Sequence, residues 1–236
     1  MSPQSMRQQN AQIVLVHGAW ADGSGWAKVI EPLANEGFGV IAAPLPLSSY
    51  ADDVEALEQA LDRVDGPVVL AGHAYAGAVI AGVRSEKVKA LVYVAALAPD
   101  EGETVADVFY RGEPDPRRPQ LTPDGNGLIY YPNEAFATAY AQNASTGELA
   151  VLAAVQRPIS PACIMAPVRR PLWKDRPSWF LMAEEDRMIA ADNQRFMAER
   201  MQAMQRVFQV DHTPMLTAPD AVLQVIREAA ASVTEA

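Results

Sequence analysis

The stretch PVVLAGHAYAGAVIAGV, residues 67–83, decides how the chain is read. It opens on a short apolar run, the part from Tyr75 onward has the composition of a helix, and a tight turn of small residues lies between them. Strand, sharp turn and helix in that order form the setting of a nucleophile elbow, whose usual pattern is G-x-S-x-G. Here the pattern is filled by Gly72, His73, Ala74, Tyr75 and Ala76, so the central position holds a methyl group.

Working outward, further short apolar runs flank this one: QIVLVH (12–17), GVIAA (39–43), VKALVYVAA (88–96), SWFLMA (178–183) and RVFQV (206–210). They are continuous rather than alternating, as parallel strands are when helices cover both faces of their sheet. Amphipathic segments separate them at 26–37, 52–64, 193–204 and 219–230, the first ending at Gly37, a plausible C′ residue. Alternation of strand and helix predicts an α/β fold with right-handed crossovers and a mostly parallel, doubly wound sheet.

The rhythm fails between residues 99 and 177. GEPDPRRPQLTPDGNG (112–127) reads as loop, EAFATAYAQNAS and GELAVLAAVQRP read as helical, and RPISPACIMAPVRRPLWKDRP is punctuated by proline. So long a passage between two strands exceeds an ordinary connection. The expectation is therefore a core made of residues 1–99 and 178–236 with a lid, 100–177, inserted over the carboxyl end of the sheet.

The whole-chain numbers exclude more than they identify. A chain of 236 residues suits one large domain with an insertion, and a formal net charge of −10 argues against nucleic acid or an anionic membrane as partner. Cys163 is the single cysteine, so no internal disulfide can form. The polar start MSPQSMRQQNAQ has no apolar core of a secretory signal, and no apolar run is long enough to span a bilayer, which makes a cytoplasmic location the expectation. The three histidines lack metal-ligand spacing, and no G-x-G-x-x-G follows a strand, so neither metal nor nucleotide cofactor is expected. Nothing in the sequence decides between monomer and homodimer.

Sites in open α/β sheets lie at the carboxyl ends of the strands. Four such ends carry polar or turn features: HGAW (17–20), GHAYAG (72–77), AEEDRMI (183–189) and VDHTPML (210–216). Together with VLVHGAWADGSGW, VVLAGHAYAGAVI, LVYVAALAPD and DHTPMLTAPDAVL, they make the chain resemble the α/β-hydrolases of the small esterase branch, which includes plant salicylate-binding methylesterases and hydroxynitrile lyases. The resemblance runs from about residue 12 to 228 and is thinnest from 100 to 150.

That resemblance implies roles. His212 would be the base, Asp186 the acid that orients it, and Ala74 marks the nucleophile position. Asp100 is the rival acid, while His17 and His73 fall at structural positions and Asp211 is expected to face away. The backbone N–H groups of Ala19 and Tyr75 would form the oxyanion hole. For an apolar pocket the aromatic candidates are Trp20, Phe109, Tyr110, Tyr130, Tyr131, Phe136 and Trp173, with Tyr75 and Met215 beside the polar turns. An adjacent pair, Arg169 and Arg170, is a candidate carboxylate binder more simply read as solvated.

The implied activity is serine-type hydrolysis of a small, largely apolar ester or lactone, with Ala74 standing where an engineered serine-to-alanine change would put it and turnover nearly absent. A natural pseudoenzyme or small-molecule receptor is the alternative, as is a lyase or cofactor-free dioxygenase on the same fold. Thr213 stands where the resembled lyases carry a lysine, which weighs against a lyase.

Overall fold

The computed structural model describes residues 11–234; most of the polar N-terminal stretch and the last two residues lie outside them. Six strands, β1 (Gln12–Val16), β2 (Val40–Ala43), β3 (Val68–His73), β4 (Val88–Val94), β5 (Ser178–Ala183) and β6 (Met204–Phe208), form one sheet in the order β2-β1-β3-β4-β5-β6. Every neighbouring pair is parallel. Their carboxyl ends therefore share one edge, which gathers turns distant in sequence.

Successive side chains point to opposite faces of a strand, and the core divides accordingly. Ile13, Leu15, Val69, Ala71, Val92 and Leu181 meet Trp26, Val29 and Leu33 at α1 (Ala27–Asn35) and Val222, Val225 and Ile226 of α9 (Pro219–Thr234). Val14, Val16, Val68, Leu70, Leu91, Tyr93 and Phe180 face the other way. They pack with Leu57 and Leu61 of α2 (Tyr50–Asp62), Val79 and Ile80 of α3 (Ala76–Gly82) and Met197 of α7 (Ala191–Arg200). Helices on both faces explain why the strands read as unbroken apolar runs.

Helix α1 ends as its sequence predicts. Gly37 has φ 89°, its N–H donates to Ala34 O at 3.0 Å, and Phe38 N–H donates to Leu33 O at 3.1 Å, the paired bonds of a Schellman turn. One strand is displaced: the apolar signal points to 206–210, whereas β6 begins at Met204 and ends at Phe208. β6 is the last strand of the sheet, and its pairing with β5 from Trp179↔Met204 to Ala183↔Phe208 sets the register. Gln205 and Arg206 break the apolar run within the strand and buried Val210 extends it beyond, so hydrophobicity misplaces it.

Between β4 and β5 the chain adds no strand to the sheet. It runs through α4 (Val105–Phe109), a 3-10 turn (Asn133–Ala135), a π-helical turn (Phe136–Tyr140), α5 (Thr146–Val155) and α6 (Ala162–Met165). Two isolated antiparallel bridges, Thr104↔Pro167 and Ile129↔Ile159, tie the passage to itself. The helix read from EAFATAYAQNAS is the 3-10 and π turn, closed by Ala141 N–H donating to Phe136 O at 2.8 Å. α5 lies close to the reading and opens on a capping box, Ser145 with Glu148. A last short helix, α8 (Pro214–Thr217), follows β6.

Candidate active site

His212 lies after β6, in the turn that leads into α8, and is 2% exposed. Its Nδ1–H donates to Asp186 Oδ2 at 2.8 Å. Asp186 follows β5 and is held from every side. Its Oδ1 accepts the N–H of Met188 at 2.7 Å and of Ile189 at 2.9 Å, and its Oδ2 also accepts Gln194 Nε2–H at 2.8 Å. A carboxylate with this many donors is fixed in place. With Nδ1 protonated toward Asp186, the remaining nitrogen of His212, Nε2, is free to accept a proton.

The other two histidines are structural, as their positions suggest. His17 Nδ1–H donates to Gly18 O at 2.9 Å, and its Nε2 accepts Leu45 N–H at 3.0 Å. His73 Nε2–H donates to the carbonyl oxygen of His212 at 2.7 Å, and the two rings lie 4.7 Å apart. Burial pushes the pKa of both imidazoles down, His73 far down, which keeps them neutral. His73, one residue before the elbow position, thus braces the backbone of the candidate base.

Ala74 occupies the sharp turn with φ 49°, a left-handed conformation that costs a non-glycine residue roughly 1–2 kcal/mol. Leu97 N–H and Gly77 N–H both donate to its carbonyl, at 2.9 and 3.1 Å, and its own N–H donates to Val94 O at 3.3 Å. The turn after β1 presses against it: a Cβ on Gly18 would stand 3.1 Å from Ala74 Cβ and 3.0 Å from His73 O. Among the described residues neither Ala19 N–H nor Tyr75 N–H donates a hydrogen bond. Both residues border the cavity that Ala74 and His212 share. Tyr75 is anchored at its far end, where its hydroxyl donates to buried Asp53 Oδ2 at 2.6 Å.

The walls of that cavity are almost wholly apolar. Trp20, Tyr75, Phe109 and Tyr110 line it as the sequence suggests. Tyr131, Phe136, Trp173 and Met215 do not. Tyr131 and Phe136 stand one layer back, their rings 4.9 Å apart and Tyr131 5.2 Å from Trp20. Trp173 is packed in a 3-10 turn before β5, and Met215 borders a separate small cavity behind His73. Tyr130 is half exposed outside the cavity. The sequence reading missed Tyr140, whose ring is 5.2 Å from that of His212 and whose hydroxyl donates to Ala19 O at 2.9 Å. It also missed the aliphatic walls Ile129, Ile159, Ile164, Met188 and Ile189.

The rival assignments dissolve. Asp100 is ion-paired with Lys174. Asp211 turns away from the cavity, its carboxylate accepting Thr213 N–H, Thr217 Oγ1–H and Asn143 N–H at 3.1, 2.6 and 3.0 Å. The Cys163 thiol is buried beside Asp53, and its pKa is pushed up to about 12, so it supplies no thiolate. Arg170 pairs with Asp175. Among the described residues no three His, Cys, Asp or Glu side chains gather as a metal site, and no helix is long and apolar enough to cross a membrane.

A parallel sheet with a buried histidine–aspartate pair, a left-handed elbow and an apolar cavity at its carboxyl edge defines a class, and the sequence agrees. The alpha/beta hydrolase family model matches residues 13–225, and the chain belongs to that family. Alpha/beta hydrolase nvfD of Aspergillus novofumigatus is 25% identical over 251 residues, spanning 94% of this chain and 98% of the relative. A carbendazim hydrolyzing esterase of a Nocardioides species is 29% identical over 121 residues, 44% of this chain and 49% of its own. Among solved structures, polyneuridine aldehyde esterase superposes with TM-score 0.82 at 21% identity, over 93% of this chain and 99% of that one.

Proposed function

We propose that this is the site of a serine-type carboxylic ester hydrolase with alanine in the nucleophile's place, acting on a small, largely apolar ester or lactone. The observation that carries the reading is that His212, held to Asp186 at 2.8 Å, and Ala74 in its φ 49° turn face one apolar cavity. In this reading a serine oxygen at position 74 attacks the ester carbonyl while His212 Nε2 takes its proton, then returns it to the leaving alkoxide. Asp186 keeps the imidazole in the required tautomer, and the N–H groups of Ala19 and Tyr75 receive the developing oxyanion. Water repeats the sequence on the acyl-enzyme. Residues 100–177 act as the lid, a role supported by Val105, Phe109, Ile129, Tyr140, Ile159 and Ile164, which bring apolar walls over the sheet edge. The esterases named among the similar proteins agree in reaction class.

The chain as written then binds esters and scarcely turns them over, since losing a triad serine lowers turnover by about 10⁶. Ala74→Ser is expected to release alcohol from aryl or methyl esters at rates at least about a thousandfold above the parent chain, with His212→Ala on top returning the rate to background. A folded Ala74→Ser protein with no turnover on a panel of esters, thioesters and lactones sinks the reading.

The alanine itself favours a second reading, in which no nucleophile is used. The chain is then a small-molecule receptor, or His212 moves a proton unaided in a lyase-type or oxygen-dependent reaction. Product formation or oxygen uptake by the parent chain that His212→Ala abolishes, unaccompanied by any gain from Ala74→Ser, identifies such a reaction, and tight binding with no turnover by either protein identifies a receptor.

A further inference from the structure

The cavity does not end at its apolar walls. Phe109, Tyr110 and Leu121 line it on one side and, on the other, border a wider open cleft formed with Asp115, Arg118, Gln120 and Thr122. Arg118 stands at this junction. Its guanidinium lies 4.5 Å above the Phe109 ring and 5.6 Å from that of Tyr110, aromatic residues that line both spaces. One donor is committed: Nη1–H reaches Met188 O at 3.1 Å, and Met188 is itself a cavity wall.

The remaining guanidinium donors are not matched by any side chain. Among the described residues Arg118 forms no ion pair. The nearest loop carboxylate, Asp115, is taken by Arg117, and Asp186 is taken by His212. Partial burial lowers the guanidinium pKa: the charge is stripped of some water, and the attraction of Asp115 and Asp186, neither within ion-pair distance, does not make up the loss. In a chain whose net charge is −10, a half-buried cation with no ion-pair partner among the described residues, in a cleft that shares Phe109, Tyr110 and Leu121 with the apolar cavity, is suited to an anion. The guanidinium fork matches a carboxylate.

We infer that Arg118 binds a carboxylate carried by the ligand, so that the preferred substrate is an amphiphilic monoanion: an apolar chain in the cavity with its ester near Ala74 and its carboxylate in the cleft. This names the substrate class of the proposed ester site and rests on that reading. It also replaces Arg169 and Arg170 as the carboxylate binder: Arg170 is paired with Asp175, and neither arginine lines this cavity or its cleft.

The parent chain tests it directly, because ligands are not consumed. Titration calorimetry would compare monomethyl esters of straight-chain diacids, from hexanedioic to decanedioic, with the matching dimethyl esters. At the best-fitting length the half-ester is expected to bind about tenfold or more tightly than the diester, and the advantage should shrink as salt rises. Arg118→Gln should bring the two within about twofold, and Arg118→Lys should retain part of the preference. Equal affinity for half-ester and diester in the parent chain at every length overturns the inference, and that comparison needs no variant. A preference that survives Arg118→Gln overturns it as well. If neither ligand binds while Ala74→Ser hydrolyses aryl esters, the inference falls and the hydrolase reading stands. If Arg118-dependent binding is found while Ala74→Ser stays inert, the reverse holds.

Discussion

His73 shows how much a single buried side chain can set. Its imidazole must stay neutral, because burial drives its pKa far below the ordinary 6.5 and a proton would be carried in the apolar layer beneath the elbow. In the unfolded chain the same ring protonates near 6.5. Above that pH neither state binds the proton. Below it the unfolded state gains one that the folded state refuses, so stability is lost as pH falls. His17, also shifted down by burial, adds to the same slope. The melting temperature is therefore expected to drop between pH 6.5 and 5. His73→Gln, whose amide can still donate to His212 O, should be flatter over that interval by scanning calorimetry. Equal slopes for the two proteins would remove His73 as the cause. Residues of this kind were legible because their place is fixed by the strand before them: His212, Asp186, Ala19 and Tyr75 each follow a strand whose apolar run is plain in the sequence. Tyr140 was not, because its approach to His212 depends on a π turn in a passage with no sheet register to fix it. Arg118 was not either, since a loop arginine declares its environment only once Phe109 and Tyr110 are folded beneath it.

Elements carry this geometry through close backbone approach, most tightly between α3 and the turn after β4. A Cβ on Gly77 would sit 2.4 Å from Leu97 O and 2.9 Å from Ala96 Cβ. Leu97 N–H is one of the two donors that hold the carbonyl of Ala74. Gly77→Ala must push α3 away from that turn, at an expected cost of about 1–3 kcal/mol. In the Ala74→Ser background it should also lower kcat, because the elbow moves with the helix. Gly147, near the start of α5, has nothing within 4 Å of its Cβ position. Gly147→Ala there should be neutral or stabilising by up to about 1 kcal/mol. Denaturant unfolding of the two variants checks the contrast, and equal effects would count against the close-approach argument. The six strands and their flanking helices could be read from sequence because burial on both faces leaves long apolar runs, and only the edge strand β6 slipped. The passage between β4 and β5 yielded α5 but not α4 or α6, elements of five and four residues, too short for a helical period to register.

At the scale of the whole molecule the cavity joins turns at the carboxyl ends of β1, β3, β5 and β6 with the passage between β4 and β5. A ligand held there touches both and can bind only the folded chain, so it stabilises the protein by mass action. At a free concentration one hundred times its Kd the gain is about 2.7 kcal/mol. For a chain of this length each kcal/mol raises the melting temperature by roughly 2–4 °C, which gives an expected rise of roughly 5–10 °C. The parent chain, with alanine at the elbow, should hold that rise for hours at constant temperature before the scan. Ala74→Ser should lose it as the ester is consumed, at a rate set by its turnover, and adding His212→Ala should restore the persistent rise. Differential scanning of the three proteins with one ester thus reads binding and hydrolysis from the same quantity. An ester that Ala74→Ser consumes but that leaves the parent's melting temperature unmoved would mean that residue 74 and the cavity do not serve one ligand, and the proposed site would have to be abandoned.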